Sequence, residues 1–148
     1  MSEFHAAILL AATDAVDSQW RQRTAMAERL TEELGHESSV EPPAVLPEVT
    51  RMSWYMYCVR LAPGQTDRSN VDSAAAAGAF GLPVTPMYPP FHELPAYANS
   101  CAAFRGTCPE AELAGREVVC VAHRVLLAEP ELAASIAAAL AASIGLTG

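Results

Sequence analysis

The segment Tyr88-Pro-Pro-Phe-His92 places two aromatic rings and one titratable ring on a loop that its prolines stiffen. An imidazole titrates near neutral pH, so His92 could serve as a general base. Tyr88 and Phe91 would form an aromatic wall beside it, which is the usual composition of a small-molecule pocket. The alternative is that Tyr88 and His92 cap the loop and hydrogen-bond only to the backbone.

A second polar pair, His123 and Arg124, follows an apolar run that ends at Ala122. The pair could contact a ligand, or it could only close the turn after that run. The sequence therefore offers three candidates for a catalytic role: His92, Tyr88 and His123. The candidate substrate-binding residues are Tyr88, Phe91, His92 and Arg124.

The sequence contains no motif for a metal site or for a Schiff base. The four histidines stand at positions 5, 36, 92 and 123, without the spacing of a metal-binding motif, and no C-x-x-C pair occurs, so no metal site is expected. Cys58 and Cys120 lie in apolar runs and are expected to be buried thiols. Cys101 and Cys108 could form a bridge in a loop, but free thiols are expected in a reducing compartment. All nine basic residues are arginine, so the chain has no lysine amine that could form a Schiff base.

Composition sets the class of protein. A chain of 148 residues with 51% hydrophobic residues can bury the core of one domain. The net charge of −8, with no basic run, argues against nucleic-acid and anionic-membrane partners. The apolar stretch over residues 6–12 is too short to span a membrane and lacks the basic start of a signal peptide, so a cytoplasmic location is the default expectation.

Apolar periodicity predicts one long helix over residues 3–34, with Ser2 as its N-terminal cap and Gly35 as its stop. The segment Ser53–Leu61, apolar on both faces, predicts a central strand, and residues 117–122 predict a second strand. The remaining predictions are a connector over 36–50, an extended segment over 83–88, and helices over 67–80 (capped by Thr66), within 93–105, over 109–116 and over 130–144.

This order predicts an α+β fold, a small antiparallel sheet covered by helices and preceded by a long N-terminal helix. We expect residues 1–35 to form a linking helix about 48 Å long and residues 36–148 to form the α+β domain. The large side chains expected in the core are Phe4, Trp20, Leu30, Leu34, Trp54, Tyr57, Phe80, Leu126 and Leu127.

Five segments carry a family resemblance: Met1-Ser2-Glu3-Phe4 with Ala6-Ala7, Trp54-Tyr55-Met56-Tyr57, Gly81-Leu82-Pro83 with Tyr88–His92 and Pro95-Ala96-Tyr97, Cys108-Pro109-Glu110-Ala111-Glu112, and His123-Arg124-Val125-Leu126-Leu127. In this order they resemble the C-terminal, small-domain part of the DegT/DnrJ/EryC1/StrS aminotransferases. The most similar branch is that of 3-amino-5-hydroxybenzoate synthase and the scyllo-inosose aminotransferases.

The resemblance implies that the Tyr88–His92 loop faces a cleft for a sugar-like or cyclitol-like substrate. It also implies that the family's large pyridoxal-phosphate domain, with its lysine, is absent from these residues. We therefore expect no cofactor on this chain and no pyridoxal-phosphate-dependent aminotransferase activity by the chain alone. The expected role is a subunit or interaction module in secondary metabolism, as a homodimer or with a separate aminotransferase chain. The alternative is a stand-alone, cofactor-independent enzyme or small-molecule-binding protein that uses the loop.

Overall fold

Two central strands organise the sheet, β2 (Met56–Leu61) and β4 (Val118–Ala122). They are antiparallel, with β1 (Val40–Glu41) on the outer edge of β2 and β3 (Val84–Pro86) on the outer edge of β4, which gives the order β1-β2-β4-β3. All neighbouring pairs are antiparallel, so the predicted small antiparallel sheet is confirmed. The computed structural model describes residues 2–64, 66 and 68–145.

The long N-terminal helix is confirmed as α1 (Glu3–Leu34). The Ser2 side chain accepts a hydrogen bond from the His5 backbone N–H, as expected of an N-terminal cap. Gly35 ends the helix in a right-handed conformation, so it acts as a stop without using the left-handed geometry that glycine permits. The other helices are α2 (Asn70–Ala79), α3 (Pro109–Glu117) and α4 (Ala133–Ile144).

One face of the sheet carries the core. Tyr57, Val59 and Leu61 of β2 are buried together with Val119 and Val121 of β4, because alternate residues of a strand point to the same face. The C-terminal end of α1 and the apolar face of α4 cover them, and the helix residues in this core are Met26, Ala27, Leu30, Leu34, Ala133, Ile136, Ala137, Leu140 and Ile144.

The central strand begins later than the sequence predicts, at Met56 instead of Ser53. Trp54 adopts a left-handed backbone with φ of 51°, which no strand residue can have. The strand is also not covered equally on its two sides, since Tyr57, Val59 and Leu61 are buried while the alternate residues are half-buried.

The helix predicted over 67–80 with a Thr66 cap begins at Asn70, and Ser69 is its cap. Thr66 instead donates its hydroxyl to the Ile144 carbonyl, a contact that its local sequence does not reveal, and Asp67 lies outside the described residues. Residues 93–105 contain no α-helix in the structure, only 3-10 turns at their margins (Phe91–Glu93 and Ala102–Phe104). The two-residue strand β1 lies within the segment predicted as a connector.

Two of the expected core residues are exposed. Phe4 is 73% exposed because the first half of α1 extends beyond the sheet, and Phe80 is 56% exposed at the end of α2. Trp20 and Leu127 are half-buried, whereas Leu30, Leu34, Trp54, Tyr57 and Leu126 are buried as predicted. None of the described helices has both the length and the apolar character needed to cross a bilayer.

Candidate functional site

The loop that holds Tyr88 and His92 leaves β3 and lies against α3. The Met87 backbone N–H donates to the Val118 carbonyl, which ties the start of the loop to β4. Gly115 on α3 allows the close approach, because a Cβ atom there would lie 3.2 Å from Cδ of Pro90 and 3.3 Å from Cα of Pro89. A glycine inside a short helix is therefore what lets the proline loop pack on it.

His92 is buried, with 4% of its surface exposed. Its Nε2 atom lies 2.9 Å from a carboxylate oxygen of Glu112 on α3, and the same oxygen accepts the Gly106 backbone N–H at 2.7 Å. The Gly106 hydrogen bond is the main cause that lowers the pKa of Glu112, and His92 adds to it. The partner of His92 is thus a carboxylate and not the backbone, and the pair fixes the loop to α3.

The aromatic residues of the loop face outward. Tyr88 is 75% exposed and Phe91 is 66% exposed, and the Phe91 ring meets that of Tyr97 edge to face at 5.4 Å between centroids. The expected aromatic wall therefore stands on the surface, while the imidazole points into the protein. This arrangement can bind an apolar or planar group at the surface, but the imidazole can reach it only if the loop opens.

His123 and Arg124 lie in the turn that follows β4, and both are exposed. The His123 ring stacks on Tyr55 at 6.0 Å between centroids, and the Leu127 N–H donates to the Arg124 carbonyl, which closes the turn. The Tyr88–His92 loop adjoins the other end of β4, near Val118. A five-residue strand spans about 17 Å, so the structure separates the two groups of candidate residues instead of bringing them together.

A group of three side chains could in principle hold a cation. His92, Glu93 and Glu112 each place one ligand atom within 4.8 Å of the others. Glu93 already pairs with Arg116 at 3.1 Å, and Glu112 already accepts two hydrogen bonds. A metal ion would have to displace these partners, so His92 and Glu112 are better described as a hydrogen-bonded pair and Glu93 as the partner of Arg116.

A cavity of about 510 Å³ lies between α1 and the segment that precedes β2. Its lining is mostly apolar and includes the indoles of Trp20 and Trp54. Two buried polar atoms at its wall, the Thr24 hydroxyl oxygen and the Trp54 indole nitrogen, have no hydrogen-bond partner among the described residues. Such orphaned atoms and the left-handed backbone of Trp54 are typical of sites held in a strained conformation.

The sequence analysis missed this cavity. The Arg51 guanidinium lies 4.3 Å from the Trp20 ring centre and also pairs with Asp17, which holds the segment before β2 against α1. These partners are 31 or more positions apart, and no local pattern joins them. The signal that the sequence offered was the pair of tryptophans that line the cavity.

Comparison with known proteins supports one ancestry. The model of the DegT/DnrJ/EryC1/StrS aminotransferase family matches residues 1–141. The L-glutamine:2-deoxy-scyllo-inosose aminotransferase of Micromonospora echinospora is 31% identical over 142 residues, which cover 87% of this chain and 34% of that protein. The L-glutamine:scyllo-inosose aminotransferase of Streptomyces griseus is also 31% identical, over 86% of this chain and 34% of that protein.

The fold has a clear counterpart among solved structures. The crystal structure of 3-amino-5-hydroxybenzoic acid synthase superposes with a TM-score of 0.82 at 24% identity, over 93% of this chain and 37% of that one. The chain thus spans about a third of the length of the relatives it matches. Because the family match extends over nearly all of its residues, the chain belongs to the DegT/DnrJ/EryC1/StrS aminotransferase family.

Proposed function

We propose that this chain is the small-domain module of an aminotransferase for a sugar or cyclitol, and that it acts as a subunit or interaction module. In this proposal residues 1–35 form the linking helix and residues 36–148 the small domain. The activities for which the relatives are named, amino transfer to scyllo-inososes, support the substrate class. The observation that carries the proposal is an apolar face of α1 that no described part of the chain buries.

That face is a stripe formed by Phe4, Ile8, Leu9 and Val16, all of which are exposed. At 3.6 residues per turn these four positions fall within an arc of about 140° on the helix. A contiguous apolar patch in water favours association, because burying it is worth roughly 25 cal/mol per Å². The proposed partner is a second copy of this chain or a separate aminotransferase chain.

The residues of this chain do not fit the family's cofactor. Pyridoxal phosphate supplies an electron sink for amino transfer when it is bound to a lysine, and this chain has nine arginines and no lysine. A guanidinium stays protonated and cannot act as the amine in its place. Amino transfer that involves this chain therefore needs a lysine on another polypeptide segment.

Reconstitution tests the proposal. The chain is mixed with pyridoxal phosphate, L-glutamine and 2-deoxy-scyllo-inosose, alone and together with the part of the Micromonospora aminotransferase that it does not match. We expect no turnover and no borohydride-reducible side-chain adduct with the chain alone, and co-elution and amino transfer with the mixture. A Phe4→Ser/Ile8→Ser variant should neither co-elute with that part nor support amino transfer. Turnover by the chain alone would contradict the proposal.

A second candidate function is small-molecule binding by the chain itself. The cavity lined by Trp20 and Trp54 favours it, since its volume lies in the range of ligand sites, and the exposed Tyr88 is the alternative location. A thermal-shift screen with sugars and cyclitols tests this function. If a thermal shift is lost in Trp20→Ala, the binding site is the cavity. If it is lost in Tyr88→Phe, the binding site is the loop. The absence of any shift would reject both.

A further inference from the structure

We infer that Cys58 and Cys120 form an oxidisable dithiol, a modification site at which a peroxide installs a disulfide across the two central strands. The two residues are directly opposite in the register of β2 and β4. Their sulfur atoms lie 3.8 Å apart, and both thiols are free. This inference does not depend on the proposed function.

The backbone geometry of the pair suits a disulfide. The Ala62 N–H donates to the Ser39 carbonyl on the β1 side, and alternate residues of a strand direct their polar groups the same way, so the backbone groups of Cys58 also point toward β1. The Val118 carbonyl and the Ala122 N–H bond to the β3 side, so those of Cys120 point toward β3. The backbone N–H and C=O groups of the two cysteines are therefore not hydrogen-bonded to each other.

Such a non-hydrogen-bonded antiparallel pair has its Cα atoms about 4.5 Å apart and its side chains close together. Disulfides accept Cα separations of about 4.4–6.8 Å. The two strands thus need no slip in register to let the sulfur atoms bond. A small rotation of the two side chains is sufficient, and both lie on the face of the sheet opposite the main core.

The two thiols have different environments, and this difference indicates which of them reacts first. Cys58 is half-buried and can meet a small oxidant, whereas Cys120 is 2% exposed. The hydrogen bond from Cys120 lowers the pKa of Cys58 to about 7, and the same contact together with burial raises that of Cys120. Cys58 is thus the attacking thiolate, and Cys120 is the thiol that resolves the first product.

The chemistry balances with hydrogen peroxide or an organic hydroperoxide as the oxidant. The Cys58 thiolate attacks one peroxide oxygen, the O–O bond breaks, and a sulfenic acid forms while the other oxygen leaves as hydroxide or alkoxide and takes up a proton. The Cys120 sulfur then attacks the sulfenic sulfur, the S–O bond breaks, and water leaves with the Cys120 proton. Two thiols are oxidised to one disulfide, and the peroxide is reduced.

Peptide mapping of the native protein tests the inference. The chain is treated with hydrogen peroxide, its remaining thiols are alkylated, and it is digested without reductant. We expect a cross-linked peptide pair that contains Cys58 and Cys120, has lost two hydrogens, and is separated by dithiothreitol. A Cys101→Ser/Cys108→Ser variant should form the same pair, because those two cysteines lie outside the sheet.

Two variants examine the order of steps. In Cys120→Ser, the Cys58 sulfenic acid should persist and react with dimedone, and no cross-link should form. In Cys58→Ser, Cys120 should resist oxidation. If Cys58 and Cys120 remain alkylatable while Cys101 and Cys108 oxidise, or if the pair forms only after the protein is unfolded, the inference is wrong.

Discussion

The imidazole of His92 and the carboxylate of Glu112 hold the Tyr88–His92 loop on α3, which gives His92 a structural task whether or not it also meets a ligand. The sequence pointed to His92 because of its residue type and its proline-rich surroundings. It could not point to Glu112, which is 20 residues away and lies on a helix face that would ordinarily be solvated.

We predict that His92→Ala lowers the free energy of unfolding by about 1–3 kcal/mol, because it leaves a partly buried carboxylate without one of its donors. Tyr88→Phe should change it by less than about 0.5 kcal/mol, because the Tyr88 side chain is exposed. Urea unfolding followed by circular dichroism measures both. Equal stability of the two variants would show that the His92–Glu112 contact does not hold the loop.

The Glu112 carboxylate gives a pH-dependent prediction. Its pKa is lowered in the folded protein, so its contribution to stability is present above its unfolded pKa and is lost as the pH falls through the folded value. The urea midpoint of the wild type should therefore exceed that of Glu112→Gln near neutral pH, and the gap should close below about pH 4.5. Glu110→Gln on the exposed side of α3 is the matched control and should show no such gap. A gap that persists at acidic pH would contradict the assignment.

Among the elements, those marked by a regular apolar pattern along the chain could be located from the sequence. Those whose bounds depend on contacts with residues far away in the chain could not. The spacing of apolar residues located α1, and the apolar run before His123 located β4. The start of α2 was misplaced because Thr66 and Ser69 are both good caps, and only the bond from Thr66 to Ile144 decides between them. The exposed start of α1 was expected to contribute Phe4 to the core, but the sheet is too short to reach it.

Gly115 tests how α3 and the proline loop fit together. We predict that Gly115→Ala destabilises the protein by about 1–3 kcal/mol, because the new Cβ atom would meet Pro89 and Pro90 in a loop that cannot easily move. Gly78→Ala is the matched control, since a Cβ atom at that position on α2 would meet no other atom. The substitution also removes the conformational-entropy cost of a glycine in a helix. It should stabilise by roughly 0.5–1 kcal/mol. Thermal or urea denaturation measures the stability of both variants. If Gly115→Ala, like the control, does not destabilise the protein, the loop can shift to accept the Cβ atom.

At the scale of the whole molecule, the shape of α1 explains why an association is expected. The helix is about 48 Å long, but its buried residues are confined to the stretch from Met26 to Leu34. Apolar periodicity predicted the long helix, and the structure adds which surface of that helix the described residues leave without cover.

We predict that the chain associates through the stripe formed by Phe4, Ile8, Leu9 and Val16. Light scattering at micromolar concentration should give a mass above the 15.7 kDa of one chain. Phe4→Ser/Ile8→Ser should shift it to 15.7 kDa with an unchanged circular dichroism spectrum, because both side chains lie outside the core. Leu10→Ser is the matched control, since Leu10 is exposed on the opposite side of the same helix and its loss should leave the mass unchanged. A wild type that elutes as a single chain would show that the stripe does not drive self-association, and the separate aminotransferase chain would then be the partner to test.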